Sequence, residues 1–343
     1  MKNFLALLVF TGLAGAIGCG HTSNASAPSS VQLTGAGSTF VYPLMARWGA
    51  DFHAANPDIT INYQSIGSGG GIQQVKNGTV DFGASDAALS DAQLAAMPAL
   101  VQIPESAGPV CITYNLPLQQ PLRLSAAALS GIFLGAITQW NDPAIAQSNP
   151  GVTLPHQAIL VAHRSEGSGT TSIFTTYLSA VSRDWLRRAG SGVSVSWPVG
   201  LGGKGSEGVT GIVKQTTGAI GYVELTYAEA NQLPVALIQN AAGHFIAPSA
   251  ESSSAAIAAD ADLLARDTRL PIVNPPGPDA YPIAGLTFLL LPKTNQDPAK
   301  QAALAKFVAY LLGPGQNAAA ALHYAPLPDS LQQLDRTQLA NLR

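Results

Sequence analysis

Short apolar runs of strand character alternate along this chain with longer stretches that carry an apolar stripe at helical spacing. This is the pattern of α/β units built around a largely parallel sheet. Residues 31–33 predict a strand, and GAGSTF at 35–40 predicts its exit turn. Val41, Leu44, Met45, Trp48 and Phe52 form the buried face of a helix that stops before Asn56-Pro57. Pro43 suits that helix's first turn, where a missing N–H costs nothing. Ile59, Ile61 and Tyr63 alternate as a second strand. The glycine run 67–71 then leads into a short helix through Ile72 and Val75, ending at Asn77-Gly78. A third strand, 80–83, delivers Ser85-Asp86 at its carboxyl end. Past Ile103-Pro104 the chain changes unit, with strands at 109–115, 158–162 and 219–224 and a helix around Leu129, Ile132 and Phe133. Asn274-Pro275-Pro276-Gly277-Pro278 is the strongest linker signal. After it come a long apolar strand at 281–291 and a helix carrying Leu304, Phe307, Val308, Leu311 and Leu312, a tail expected to return to the first domain.

The densest chemistry lies at 163–172, HRSEGSGTTS, which opens into a helix with Ile173, Phe174, Tyr177, Leu178 and Val181 on one face. The first turn is then Ser168, Gly169 and Thr170. Unpaired N–H groups at the positive end of the helix dipole hold a small anion there, and Arg164 adds a fixed charge and a planar fork of donors. A plain serine cap beside a surface arginine accounts for this stretch equally well. Ligands in open α/β sheets sit outside the carboxyl ends of strands. Thr39-Phe40, Ser68, Asp86 and the turn 164–170 all occupy such positions. Each turn alone fits glycine used for backbone geometry, but four of one kind, from both halves of the chain, point to one shared cleft that closes on its ligand.

Length and charge narrow the reading. At 343 residues and about 100–200 residues per domain, two domains are expected. A 47% hydrophobic, 11% charged composition argues for folded layers rather than disorder. A net charge of −3 gives no basic footprint and, with the low charged fraction, argues against a nucleic-acid binder, so an anion must be held by local groups.

Residues 1–18, with Lys2 followed by an apolar run at 4–17, read as an export signal too short to span a bilayer. Ala16-Ile17-Gly18-Cys19 resembles a lipoprotein processing site, predicting lipidation of Cys19. A cut after Ala25-Ser26-Ala27 is the alternative, disfavoured by Pro28. Residues 19–30 form a polar tether. Cys111, the other cysteine, sits between Val110 and Ile112 as a buried strand residue, and the six histidines show no ligand spacing, so no metal site is expected. The run 200–205 satisfies GxGxxG with Glu224 about 20 residues on. Pro198 in the supposed strand and the exported setting weigh against a dinucleotide, and Gly205 after Lys204 excludes a Walker A loop.

GAGSTF at 35–40, IGSGGG at 66–71, VDFGASDAALS at 80–90, RSEGSGT at 164–170, WPVGLGGKGSEGV at 197–209, GAIGYVE at 218–224 and YAPLPDS at 324–330 together resemble the PstS-type phosphate-binding proteins of bacterial phosphate ABC importers. The likeness runs in order over essentially the whole mature chain. It implies a two-lobed periplasmic-binding-protein fold of type II, with two α/β domains joined by crossing strands: 31–106 with 279–343 as domain I, and 107–278 as domain II. It implies inorganic phosphate as ligand, no cofactor, a membrane permease and ATPase as partners, and a monomeric protein in the periplasm or at the cell surface. By position, it implies binding by the backbone and hydroxyl of Thr39, the backbone of Phe40, Ser68, the Arg164 side chain, Ser168, and the N–H groups of Gly169 and Thr170. It further implies that Asp86 accepts a hydrogen bond from the ligand's own proton. Glu166 stands where that family usually has aspartate beside the arginine, and His163 where a second arginine is common. A secreted phosphatase-like hydrolase using Ser168 or Ser68 is the alternative of another class, but neither serine sits in a GxSxG elbow. A receptor for sulfate or molybdate is a further alternative, opposed by Asp86.

Overall fold

The computed structural model describes residues 30–339. The signal run 1–18, the lipidation candidate Cys19 and the tether up to residue 29 lie outside them. Among the described residues there are eleven strands: Val31–Gly37 (β1), Ile59–Ser65 (β2), Phe82–Ser85 (β3), Leu100–Tyr114 (β4), Arg123–Leu124 (β5), Leu160–Arg164 (β6), Leu201–Gly203 (β7), Ala219–Glu224 (β8), Leu237–Gln239 (β9), Phe245–Ile246 (β10) and Ala284–Pro292 (β11). Eight of them form one sheet in the order β2-β1-β3-β11-β4-β8-β6-β7, and β10-β9-β5 form a small second sheet.

The large sheet is parallel only towards its ends. β1 runs parallel to β2 and β3, and β6 parallel to β7 and β8, as βαβ units require. The centre departs from the expected largely parallel sheet, because β11 is antiparallel to both β3 and β4, and β4 is antiparallel to β8. β4 is the reason. The break expected at Ile103-Pro104 is absent, and one 15-residue strand crosses from the β11 side to the β8 side. Pro104 lacks an N–H for the ladder, and the register there is irregular: Thr287 faces Ser106 and Phe288 faces Pro104, so Glu105 is the extra residue of a bulge.

The glycine run is also not the turn its composition suggests. Gly67, at φ 88°, ends the loop, and the helix already begins at Ser68, running Ser68–Lys76 with three glycines inside it. Glycine in a helix costs about 0.5–1 kcal/mol. Contact with the sheet requires it here, since a Cβ on Gly71 would lie 2.5 Å from Gly37 Cα and 2.6 Å from the Ala36 carbonyl oxygen. This approach sets Ser68 directly beyond the ends of β1 and β3.

The helix Tyr42–Ala55 buries Leu44, Met45, Trp48 and Phe52 as its periodicity predicts, with Pro43 in its first turn. Phe307, from the helix Pro298–Leu311, packs its ring 5.2 Å from Phe52 and 5.8 Å from Phe82, and the Trp48 indole N–H donates to the Gly315 carbonyl at 2.7 Å. The tail therefore covers the first βα unit. The segment at 274–278 is a turn rather than an open linker: Asn274 adopts φ 49° and its N–H donates to the Pro282 carbonyl at 2.8 Å, doubling the chain back into β11. Cys111 is fully buried in β4, and burial pushes its thiol well above the usual range, which makes it an inert core residue.

Candidate functional site

The ends of β1, β3, β6 and β7 and the N-termini of three helices converge on one buried locus. β1 exits through Gly37 into Ser38, Thr39 and Phe40, all buried. Tyr227 donates its hydroxyl to the Thr39 carbonyl at 2.7 Å, and Tyr324 does the same to the Phe40 carbonyl at 2.6 Å, so this turn is fixed from two distant parts of the chain. β6 ends in Arg164, and the helix Gly169–Val181 starts immediately after. Ser168 caps it, its hydroxyl accepting the Thr171 N–H at 3.1 Å while its own N–H donates to the Val193 carbonyl at 2.8 Å. Ile173, Phe174, Tyr177 and Leu178 are buried, and Val181 is only half-buried.

Arg164 is 3% exposed. Its Nε donates to Glu166 Oε1 at 2.7 Å, and Nη2 donates to the same oxygen. Nη1 points the other way, towards Thr170 Oγ1 at 3.4 Å and Ser206 Oγ at 3.5 Å. Both are long for neutral hydroxyl partners, which leaves that edge of the guanidinium available to a stronger acceptor. Glu166 does more than hold the arginine. Its two carboxylate oxygens also accept the N–H of Gly205 at 3.2 Å each, at the start of the helix Gly205–Gln215. The extra methylene relative to aspartate thus goes into bridging the arginine to a second helix terminus.

Asp86, directly after β3, is the acidic side of the locus. Its Oδ1 accepts the hydroxyls of Ser38 and of Thr287, the latter at 3.0 Å, and Thr170 Oγ1 lies 3.5 Å from Oδ2. Its N–H donates to Ser68 Oγ at 3.2 Å. Burial lifts its pKa to about 6, with the Ser38 and Thr287 hydroxyls and the Arg164 charge pulling it back down. It is therefore mostly a carboxylate at neutral pH.

The two halves of the chain touch here. The Gly69 N–H donates to the Gly167 carbonyl at 2.9 Å, and a Cβ on Gly169 would lie 2.6 Å from Ser68 Oγ and 2.7 Å from Asp86 Cβ. Only glycine at 169 permits that approach, which brings the N-termini of helices 68–76 and 169–181 together.

Thr39, Ser68, Asp86, Arg164, Gly169 and Thr170 are thus gathered at one place. Phe40 follows Thr39 in the same buried turn, and the Ser168 hydroxyl is occupied as a cap. Three participants escaped the sequence reading. Ser206 Oγ lies 2.9 Å from Thr39 Oγ1 and directly follows the GxGxxG-like run 200–205, which places a helix N-terminus here. Ser38 stands within GAGSTF. Thr287 is the one polar residue in the apolar run 284–291, a signal that could have been read. Glu224, the supposed ribose acid of the dinucleotide reading, is fully buried and caps the helix Leu225–Ala230 through the Thr226 N–H at 2.9 Å. His163 stacks on Trp197 with ring centroids 4.8 Å apart, and burial lowers its pKa.

Comparison with known proteins identifies the family and the fold. The model of the PBP superfamily domain matches residues 22–314. The chain is 48% identical to the phosphate-binding protein PstS of Xylella fastidiosa over 90% of this chain and 85% of that protein. It is 44% identical to the phosphate-binding protein PstS of Pasteurella multocida over 89% of each. The crystal structure of the phosphate-binding protein from Stenotrophomonas maltophilia superposes with a TM-score of 0.66 at 20% identity, covering 90% of this chain and 94% of that one, and supports the fold. The chain therefore belongs to the PstS family of phosphate-binding proteins, within the PBP superfamily.

Proposed function

We propose that this chain is the solute receptor of a phosphate ABC importer, binding inorganic phosphate between its lobes and delivering it to a membrane permease with its ATPase. One observation carries the reading. A buried arginine and a buried carboxylate face the same locus, with the hydroxyls of Thr39, Thr170 and Ser206 between them. Donors on nearly every side with one acceptor describe a ligand that is an anion and yet still has a proton to give. Phosphate does at neutral pH, and sulfate does not.

In this reading the Thr39 backbone and hydroxyl, the Phe40 backbone, Ser68, Ser168, Gly169 and Thr170 donate, Arg164 supplies the charge, and Asp86 accepts. Ser206 joins them, and Glu166 aims the arginine. Three helix termini at ~0.3–1 kcal/mol each fall short of the ~8 kcal/mol of a micromolar complex, whereas several charge-assisted hydrogen bonds at ~1.5–3 kcal/mol reach it. Lobes at 31–106 with 279–343 and at 107–278 would close around the anion, the contact of Gly69 with Gly167 being the kind of bridge closure makes.

A receptor rather than a hydrolase is favoured because both candidate nucleophiles are already engaged. The Ser168 hydroxyl caps its helix and the Ser68 hydroxyl accepts the Asp86 N–H, while His163, the nearest histidine in sequence, is stacked on Trp197. The deciding experiment is calorimetric titration with phosphate, arsenate and sulfate beside a phosphomonoester turnover assay. Tight phosphate and arsenate binding, weak sulfate binding and no turnover are expected. Turnover that requires Ser168 or Ser68, or no heat with phosphate, would reject the receptor reading. We further propose an extracytoplasmic protein tethered by a lipid on Cys19. Mass spectrometry of the mature N-terminus should find diacylglyceryl-cysteine at 19, and an unmodified amine at Pro28 would exclude it.

A further inference from the structure

We propose that Glu105, carried as a neutral carboxylic acid on the bulge of β4, donates its proton to the Thr287 hydroxyl and so holds Asp86 as an acceptor-only carboxylate. Glu105 is then a positioning residue for proton recognition, a role that rests on the phosphate reading above. The observation is a hydroxyl between two acids. Thr287 Oγ1 lies 3.0 Å from Asp86 Oδ1 and 3.2 Å from Glu105 Oε1. A hydroxyl has one hydrogen and donates it once. Were both acids ionised, one contact would set lone pair against lone pair, so one of the two acids must carry a proton into Thr287.

The surroundings decide which. Asp86 collects donors, with Ser38 and Thr287 on Oδ1, Thr170 near Oδ2 and the Arg164 charge acting on it. Of these, Glu105 meets Thr287 alone. It is fully buried, and among the described residues its Oε2 has no hydrogen-bond partner and Thr287 is the only side chain that bonds its carboxyl. The ionisable groups that act on it are Asp86, at the end of β3, and the Tyr63 phenol of β2, and no cation is among them. From the helix Gln316–Ala321 comes only the neutral Gln316 amide, donating to the Glu105 backbone carbonyl at 3.0 Å. Burial pushes Glu105 to about 8, in the same direction. The chain of donors therefore runs Glu105 O–H to Thr287 Oγ1, then Thr287 O–H to Asp86 Oδ1. Asp86 Oδ2 keeps its lone pairs for the ligand's proton. The bulge matters because it is what turns an acidic residue of a central strand towards Thr287.

The sign of the pH dependence follows. As pH rises through about 8, Glu105 ionises and two carboxylates compete for one hydrogen. The Thr287 hydroxyl can then serve only one of them, and a second buried negative charge stands behind Asp86, which opposes entry of the phosphate anion, itself still carrying its last proton throughout this range. Glu105→Gln, whose amide N–H donates to Thr287 at every pH, should abolish this step. The experiment is phosphate titration of wild type and Glu105→Gln from pH about 6.5 to about 9.5, together with infrared spectra of both without phosphate. Wild-type affinity should fall about tenfold or more across that span while the variant falls less than about threefold. The infrared spectrum of wild type at neutral pH should contain the carbonyl stretch of a protonated acid that disappears in Glu105→Gln and, in wild type, above pH about 8. Parallel pH profiles, or a neutral-pH spectrum from which the variant removes no acid band, would overturn the proposal while leaving the receptor reading intact. A wild type that binds no phosphate at any pH overturns the receptor reading, and the positioning role with it.

Discussion

Arg164→Ala is expected to weaken phosphate binding by about 2–5 kcal/mol, roughly 30- to 5,000-fold, in calorimetric titration at fixed pH and salt. The magnitude follows from what remains after the substitution. Arg164 is 3% exposed, so its charge acts in a poorly hydrated setting where a replacement by water does little. Its loss also frees Glu166, whose Oε1 receives both Nε and Nη2, and leaves an unbalanced carboxylate beside the incoming anion. Two penalties therefore combine, and they separate by experiment. Glu166→Gln added to Arg164→Ala should recover part of the lost affinity, because it removes the repulsion and not the missing donors. Arg164→Lys should retain charge but lose the fork, since one ammonium cannot serve Glu166 and the ligand edge in the same planar arrangement. Affinity unchanged by Arg164→Ala would move the site elsewhere in the molecule.

What could be read from the residues was whatever depends on local order. The helix Gly169–Val181 announced itself through a serine cap and an apolar face, and Thr39, Ser68, Asp86 and Arg164 through their places after strands. Features set by distant contacts were not legible. Nothing local says that Gly69, Gly70 and Gly71 form a helix, because the cause is Gly71 lying against Gly37 and Ala36. Nothing local says that β4 continues past Pro104, because the strand is held by β11, from about 180 residues later in the chain. Ser206 was hidden by a motif that resembles something else: a glycine-rich loop before a helix presents N–H groups to any anion, and its spacing alone does not say which. Thr287 and Glu105 are an acid and a hydroxyl on neighbouring central strands. Each looks like an isolated polar residue until the bulge in the register brings Glu105 to Thr287.

Asp86→Asn should lower phosphate affinity by no more than about tenfold, ~1.4 kcal/mol, yet shrink the preference for phosphate over sulfate by several orders of magnitude. The substitution keeps the shape and offers both an acceptor oxygen and a donor amide. Phosphate can use either, giving its proton to the oxygen or accepting from the nitrogen. Sulfate has no proton to give, so in wild type it would meet the buried Asp86 carboxylate with no proton between them. The amide removes that repulsion and adds a donor, so sulfate gains what phosphate never lacked. Acid should produce the same change in wild type: as pH falls through about 6, Asp86 takes up a proton, and a neutral acid beside Thr170 and Arg164 can donate to sulfate. The preference ratio should therefore erode below pH about 6 in wild type and stay flat in Asp86→Asn. Paired titrations of both proteins with both anions across that range test the two statements together. A ratio within tenfold of wild type at neutral pH would make Asp86 a fixed cap for the Ser38 and Thr287 hydroxyls, and selectivity would then have to come from the fit of the hydroxyl ring around Arg164.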